Sequence, residues 1–478
     1  MRVHLTLIAL VSLVSLSFAQ ADSTLQQLYP FLHTDSNRIE NDHALDGFYS
    51  KLVELKQGKR KQVKIVHIGD SHLQADFFSG EVRRLLQDSF GNAGRGFVFP
   101  YRAAKTNGPS DYRTGYYGNW ESKRVVFPDQ PLPIGLGGIT LRSDDSSAMI
   151  YLKLSDADAG KYAFDKVTVF RQPGQQYYDL ALGVDVPEIK SANSADGYRF
   201  HTVRSGENLG VIARNNRTTV SQIKAWNHLR SDMIRPGQKL IVGVIYRPVI
   251  QEEISFNDLY CLPANDGPVG VACQLPSIST SVYIRHVEVD PKQVSGLIYG
   301  ISLENTRNTG VLYHTIGVNG AQYSHYCKAD YFVEQVSTLN PDLIIFSLGT
   351  NESFATELGE TELYQWMDSL VNQLALKNPG AQILLCSQPD TYKRRRYANE
   401  RNLMIQSTIK SYAENRYAAF WDLNQVMGGY GSMNSWYRAG LTAKDKVHFS
   451  AGGYRIQGQL LFNALLEGYE AYRAAGHP

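Results

Sequence analysis

Residues 63–90 read VKIVHI (63–68), GDSHLQ (69–74) and ADFFSGEVRRLLQDSF (75–90). The first block is short, apolar and β-branched, which predicts a buried strand. Gly69-Asp70-Ser71 is a tight turn, and Phe77, Val82, Leu85 and Leu86 then recur at helical spacing. The same order returns from Leu343: LIIFSLG is a strand, GTNES a turn and TELYQWMDSLVNQLALK an amphipathic helix. QILLCS and AAFWDL read as further strands, and a long helical stretch runs from about Gly452 to Ala475. Strands alternating with helices predict an α/β fold: a parallel sheet with helices on both faces.

Between the two halves of this pattern the periodicity changes. MIYLKL, KVTVFRQ, YDLALG, TSVYIRHVEV and SGLIYGISL, all between residues 107 and 303, alternate or cluster apolar residues at period two, with turn residues between them. That predicts an antiparallel β-sandwich. The expected layout is nested: α/β residues 22–106 and 304–478 flank a sandwich at 107–303. The sandwich in turn carries a β-α-α-β unit at 198–242. At about 150 residues per domain, 478 residues agree with three units.

Residues 1–21 have one early cation, Arg2, an apolar run from Leu5 to Phe18, and small residues at Ala19 and Ala21. This is the layout of a cleaved secretory signal, and the run is shorter than the ~20 residues that span a bilayer. Export to a periplasmic or extracellular location at a bacterial cell envelope follows as an expectation, with no membrane span later in the chain. Lys plus Arg number 48 and Asp plus Glu 46, so charge gives no case for a nucleic-acid partner. The four cysteines are too few for a disulfide scaffold, although Cys261 and Cys273 in CLPANDGPVGVAC lie on a loop able to close on itself. Cys386 reads as a buried free thiol. No Cys-x-x-Cys or His-x-x-x-His spacing supports a metal site.

The inserted unit contains HTVRSGENLGVIA (201–213), VSQIKAWN (220–227) and IRPGQKLIV (234–242). These blocks resemble the LysM module. The resemblance implies binding of N-acetylglucosamine-containing glycans such as peptidoglycan. The groove would be formed by Ser205, Gly206, Glu207, Asn208 and Leu209 in one loop and by Asn227, Met233 and Ile234 in the other. Such a groove reads acetamido groups with backbone donors and acceptors, and apolar walls meet the sugar faces. Core roles for Trp226 and Ile234 are the alternative reading.

Ser71 falls just past a buried strand, where ligands bind in open α/β sheets. Asn351 in GTNES follows the next strong strand. Near the C-terminus, Asp445 and His448 are three apart, which lets the carboxylate accept from one imidazole nitrogen while the other faces Ser71. IGVNGAQY (316–323) adds Gly317 and Gly320, whose backbone N–H groups can approach an oxyanion closely. His67 reads as a packed histidine behind the site, and His72 as either packed or adjacent to the chemistry. The run Lys393-Arg394-Arg395-Arg396 reads as a solvated loop with the option of meeting an anionic polymer.

In this order the four blocks resemble the SGNH, or GDSL-type, hydrolases, over roughly residues 60–105 and 310–475. The resemblance implies a flavodoxin-like three-layer fold with Ser71 as nucleophile, His448 as general base and acid, and Asp445 as the orienting carboxylate. The Ser71 and Gly320 N–H groups and the Asn351 amide would form the oxyanion hole. Gly317 is the alternative to Gly320. His72 and Glu352 stand where the family commonly has Leu and Asp. Acyl transfer through a serine ester needs no metal and no organic cofactor. GDSHLQADFF with GNAGRGFVFP is similar to the peptidoglycan O-acetylesterases of this family. The implied activity is removal of O-acetyl groups from N-acetylmuramic acid. The alternatives are an esterase on another acetylated polysaccharide, a glycan O-acetyltransferase and a non-enzymatic wall-binding protein.

Overall fold

The strand Gln62–Gly69 lies between Gly310–Gly317 on one side and Leu343–Ser347 on the other, parallel to both. Gln382–Cys386 and Ala419–Trp421 extend the parallel sheet, and Ile39–Glu40 closes its edge antiparallel. Numbered along the chain from Gln62–Gly69, the five parallel strands take the spatial order 2-1-3-4-5. This doubly wound, flavodoxin-like order has its switch point between Gln62–Gly69 and Leu343–Ser347. The computed structural model describes residues 22, 24–127, 132–184, 195–216, 218–229, 231–246, 256–264 and 269–476. The expected signal segment 1–21 lies outside the described residues.

The central strands are apolar throughout because both of their faces are covered. Val66, Ile68, Ile344 and Phe346 pack under the helices Glu360–Lys377 and Arg401–Asn415. Val63, Ile65, Leu343 and Ile345 pack on the opposite face, under Asp46–Lys56, Phe77–Phe90 and Ala451–Ala474. Period-two alternation along each strand thus feeds two separate cores.

The antiparallel zone forms two sheets. One runs Tyr260–Leu262, Asp179–Gly183, Ser281–Val287, Met149–Leu154, Tyr112–Tyr117. The other runs Gly270–Ser279, Phe164–Arg171, Gly296–Glu304, Ile139–Ser143, Glu121–Arg124, and Gly96–Val98 also pairs with Gly296–Glu304. That last strand, three residues inside GNAGRGFVFP, is too short to show a period of its own. Cys261 and Cys273 sit on strands of opposite sheets, paired with Ala181 and Val167, and all four cysteines are free thiols. The loop closure that their sequence context suggested is therefore not formed. Cys386 is fully buried.

A buried charge cluster fixes the helix Phe77–Phe90 against the first sandwich strand. The Asp76 carboxylate accepts from Arg83 at 2.7 Å and Arg95 at 2.6 Å, and Asp111 pairs with both arginines. Burial opposes ionisation of Asp76, but the two guanidiniums outweigh it and hold the carboxyl below its usual range.

Residues 186–257 form a separate compact unit. Within it, Ala195–Thr202 and Lys239–Tyr246 pair antiparallel, with helices Leu209–Asn215 and Val220–Trp226 between them. Asn208 caps the first helix by accepting from the Val211 N–H, and Thr219 with Gln222 forms a capping box on the second. The core is small and its own: Val203, Leu209, Ile212, Ala213, Ile223, Leu240 and Val242.

Candidate active site

The turn after Gln62–Gly69 determines where Ser71 stands. A Cβ at Gly69 would lie 2.7 Å from the Ser347 carbonyl oxygen and 2.6 Å from Leu73 Cδ1, so only glycine lets the turn press against the neighbouring strand. Asp70 accepts from the His72 N–H at 2.9 Å and fixes the first turn of the short helix Ser71–Gln74.

On the far side of the crevice, the helix Ala451–Ala474 begins at Ser450, whose hydroxyl accepts from the Gly453 N–H. Packed against Phe77–Phe90 as part of the same core, this helix carries the preceding loop 443–448 over Ser71. Ser71 Oγ and His448 Nε2 are 2.9 Å apart, and His448 Nδ1 and Asp445 Oδ2 are also 2.9 Å apart. The second carboxylate oxygen, Oδ1, accepts the backbone N–H groups of Val447 at 2.9 Å and His448 at 3.0 Å. Partial burial raises the Asp445 carboxyl, but these hydrogen bonds and the imidazole outweigh it, so the group is held below its usual range. A hydroxyl, an imidazole and a carboxylate in line can deprotonate the hydroxyl and hold the resulting imidazolium.

Ser71, Asn107, Asn319, Gly320, Asn351 and His448 border one pocket of about 540 Å³. Gly320 has φ +86° and faces open space apart from Val126, whereas Gly317 ends its strand with Gln74 N 2.6 Å from where a Cβ would be. Of the two glycines, only Gly320 lines the pocket. Asn351 donates its amide hydrogens to the Ala321 carbonyl at 2.9 Å and to Asp70 Oδ2 at 3.2 Å. The amide therefore stands at the pocket with both hydrogens already engaged.

Gln74 is a group at the pocket that the sequence did not single out, and the carboxyls and histidines behind it complete the surroundings. Gln74, 1% exposed, donates to the Asn107 carbonyl and accepts from the Asn319 N–H at 2.7 Å, tying the Gly320 loop to the Ser71 helix. Glu352 accepts from the N–H groups of Gly349 and Tyr323, which ties the Asn351 turn to the segment that follows Gly320. Burial raises both the Asp70 and Glu352 carboxyls, and Glu352 adds its charge to the effect on Asp70. His67 is buried between Tyr313 Oη and Ser347 Oγ, each 2.7 Å away, and desolvation lowers it to about 3. His72 bonds Tyr454 Oη at 3.0 Å, its ring centroid 5.4 Å from that of His448, and desolvation lowers it likewise to about 3. Both histidines are packed groups behind the pocket.

In the smaller unit the expected groove residues divide. Leu209 is a core residue, and Glu207 binds inward to the Arg204 N–H and His201. Asn208 caps its helix, and Asn227 exchanges hydrogen bonds with the Ile241 backbone and donates to the Ile223 carbonyl. Ile234 packs against the core, and Trp226 is half-buried outside it. Ser205 and Gly206 are exposed, and so is Met233, at 85%. These side chains build the loops, which leaves backbone groups, Ser205 and Met233 to face solvent.

Comparison with known proteins gives two domain matches. Residues 201–243 match the LysM domain, and residues 302–456 match the GDSL-like lipase/acylhydrolase family. The second range holds Gly320, Asn351, Asp445 and His448 and does not reach Ser71. A curated protein named "Probable N-acetylmuramidase", from Lactococcus lactis subsp. lactis (strain IL1403), is 49% identical over 41 residues. The chain spans only 9% of that relative's length. A solved peptidoglycan O-acetylesterase superposes over 90% of this chain and 96% of its own, with a TM-score of 0.61 and 24% identity, a likeness of fold. A lipase/acylhydrolase from Enterococcus faecalis aligns over 32% of this chain and 74% of its own, at 16% identity and a TM-score of 0.26. The chain therefore carries a GDSL-type (SGNH) hydrolase domain together with a LysM domain.

Proposed function

We propose that this chain is an exported serine esterase that removes O-acetyl groups from peptidoglycan, with the LysM domain binding the same glycan. The observation that carries the esterase reading is the alignment of Ser71, His448 and Asp445 at the switch point of the parallel sheet. The peptidoglycan reading is supported by the LysM match and by the fold shared with a peptidoglycan O-acetylesterase. His448 takes the proton from Ser71 Oγ as it attacks the acetyl carbonyl, and Asp445 holds the imidazolium. The oxyanion is met by the N–H groups of Ser71 and Gly320 and by Asn351 Nδ2. Since both Asn351 hydrogens are engaged in the free site, the oxyanion competes with the Ala321 carbonyl for one of them. His448 returns the proton to the leaving sugar hydroxyl. It then serves as base for the water that releases acetate from Ser71.

The LysM loops, in which Glu207, Asn208 and Asn227 are engaged with neighbouring backbone, offer further backbone groups to the acetamido substituents. Holding the polymer beside the esterase raises the local concentration of ester. The test is acetate release from O-acetylated peptidoglycan by the wild type and by Ser71→Ala. The reading expects release by the first only. Wild-type protein that hydrolyses p-nitrophenyl acetate but frees no acetate from the wall polymer would overturn the substrate assignment.

A further inference from the structure

The hairpin formed by Tyr392–Lys393 and Tyr397–Ala398 is hydrogen-bonded to the loop of Asp445 and His448, and the residue that follows it to the turn of Asn351. The Tyr392 N–H donates to the Lys446 carbonyl at 2.9 Å, between Asp445 and His448. At the other end, Asn399 Nδ2 donates to Ser353 Oγ at 2.9 Å, two residues after Asn351. The hairpin is therefore anchored beside the two loops that carry Asn351 and His448 to the pocket.

Its tip is Arg394-Arg395-Arg396, all exposed. Among the described residues, no carboxylate forms an ion pair with any of the three. Arg394 has φ +53° and Arg395 φ +62°, and the Arg396 N–H closes the turn on the Lys393 carbonyl at 3.1 Å. Consecutive left-handed residues of this kind favour Asn-Gly. Two arginines occupy the positions instead, so the turn presents cations at the expense of backbone comfort. Tyr397, beside them, is 64% exposed. Lys446 Nζ lies 5.1 Å from the Tyr392 ring centroid and 4.7 Å from that of Tyr437, which continues the cationic and aromatic surface toward His448.

We infer that this hairpin is a subsite for carboxylate groups carried by the polymer beside the acetyl ester, gripped by Arg394, Arg395 and Arg396 with Tyr397 against an adjoining ring or chain. The inference rests on the proposed polymer esterase. Guanidinium forks match carboxylates in two-point geometry, which suits recognition of a carboxylate better than lysine would. A chain of net charge +2 that gathers three exposed arginines on a hairpin anchored to the loops of Asn351 and His448 concentrates attraction there.

The test compares the wild type with the triple variant Arg394→Asn, Arg395→Gly, Arg396→Gln, whose first two changes suit the turn and preserve the hairpin. On p-nitrophenyl acetate the two proteins are expected to have equal kcat. On O-acetylated peptidoglycan with intact stem peptides, KM is expected to rise roughly tenfold at low salt, the scale of three exposed guanidinium–carboxylate contacts. That gap is expected to close at ~0.5 M NaCl as the contacts are screened. A second measurement needs no turnover: migration in gels containing polygalacturonate, which carries carboxylates, against gels containing neutral dextran. The wild type should be retarded by polygalacturonate only, and the variant by neither. Equal retardation of both proteins by polygalacturonate would overturn the subsite, as would an equal KM on peptidoglycan. Hairpin-dependent binding to phosphatidylglycerol vesicles with no change in polymer KM would also overturn it, in favour of a lipid surface. Retardation by polygalacturonate without acetate release from peptidoglycan would leave the subsite standing and remove the peptidoglycan reading alone.

Discussion

Replacing Asp445 separates two roles of one carboxylate. Oδ1 is held by the N–H groups of Val447 and His448, and Oδ2 faces His448 Nδ1 at 2.9 Å. In Asp445→Asn the amide oxygen keeps the two backbone donors, because an NH2 group cannot accept them. The amide nitrogen then occupies the place of Oδ2 and donates to Nδ1. That forces the proton onto Nε2, toward Ser71, where a base needs a lone pair. In Asp445→Ala no group dictates the tautomer, and the charge support is lost together with the acceptor of the Val447 and His448 N–H groups. The Asp445 and His448 side chains are 42% and 41% exposed, so an effective dielectric between ~20 and ~80 applies. At a separation of ~4 Å the lost attraction is about 1–4 kcal/mol, or roughly 5- to 900-fold in kcat. Enforcing the wrong tautomer brings the asparagine variant to a loss of ~10⁴. Alanine is thus expected to be the less damaging substitution, against the usual ranking of conservative changes. The assay is kcat on p-nitrophenyl acetate at pH 8, with circular dichroism to check folding. An asparagine variant as active as the alanine variant, or more so, would refute the tautomer reasoning.

Three other outcomes are expected. His314 is 1% exposed, neither ring nitrogen has a hydrogen-bonding partner among the described residues, and desolvation lowers it to about 3. Its neutral form supports folding fully above pH 6.5, and that support is lost as pH falls from 6.5 toward 3. His314→Leu should therefore gain about 1–3 kcal/mol at pH 7 and ~2 kcal/mol more at pH 5, read from urea unfolding; a loss at both pH values would refute it. Asp76→Asn leaves two buried guanidiniums short of one counter-charge, and should cost about 3–5 kcal/mol in the same assay. A change below 1 kcal/mol would show that the cluster is not needed. Removing residues 186–257 should leave p-nitrophenyl acetate turnover within about twofold and reduce co-sedimentation with peptidoglycan, because that unit has a core of its own. Parallel loss of both would mean that the unit is structural.

The strands were legible because burial on both faces makes them continuously apolar, as in VKIVHI and LIIFSLG. Ser71 and Asn351 were legible because strand ends in such sheets point at the crevice. The Asp445–His448 pair was visible only as a spacing, since what carries it to Ser71 is the docking of the helix Ala451–Ala474. The links from Gln74 to Asn107 and Asn319, and from Asp70 to Asn351, join residues up to 281 positions apart and leave no period in the sequence. Gly96–Val98 was hidden for a related reason: three residues show no alternation, and their partner strand lies some 200 residues later. In the LysM domain the loop side chains take roles that spacing does not reveal: Asn208 accepts from the Val211 N–H, and Asn227 bonds the Ile241 backbone. Asn208 and Asn227 are polar because the backbone around them needs partners.

The separation of Ser71 from His448 by 377 residues has a bearing on the order in which the molecule is made. The strand bearing the hydroxyl is synthesised early, and its parallel neighbours Gly310–Gly317 and Leu343–Ser347 only after the whole sandwich and LysM unit. At roughly 5–20 residues per second, the base follows the nucleophile by about 20–75 s. Until those neighbours emerge Gln62–Gly69 has unpaired edges, and until His448 follows the serine has nothing to activate it. A chain cut short between Ala398 and Asp445 would hold the LysM unit and the arginine hairpin, yet lack the carboxylate and imidazole that activate Ser71.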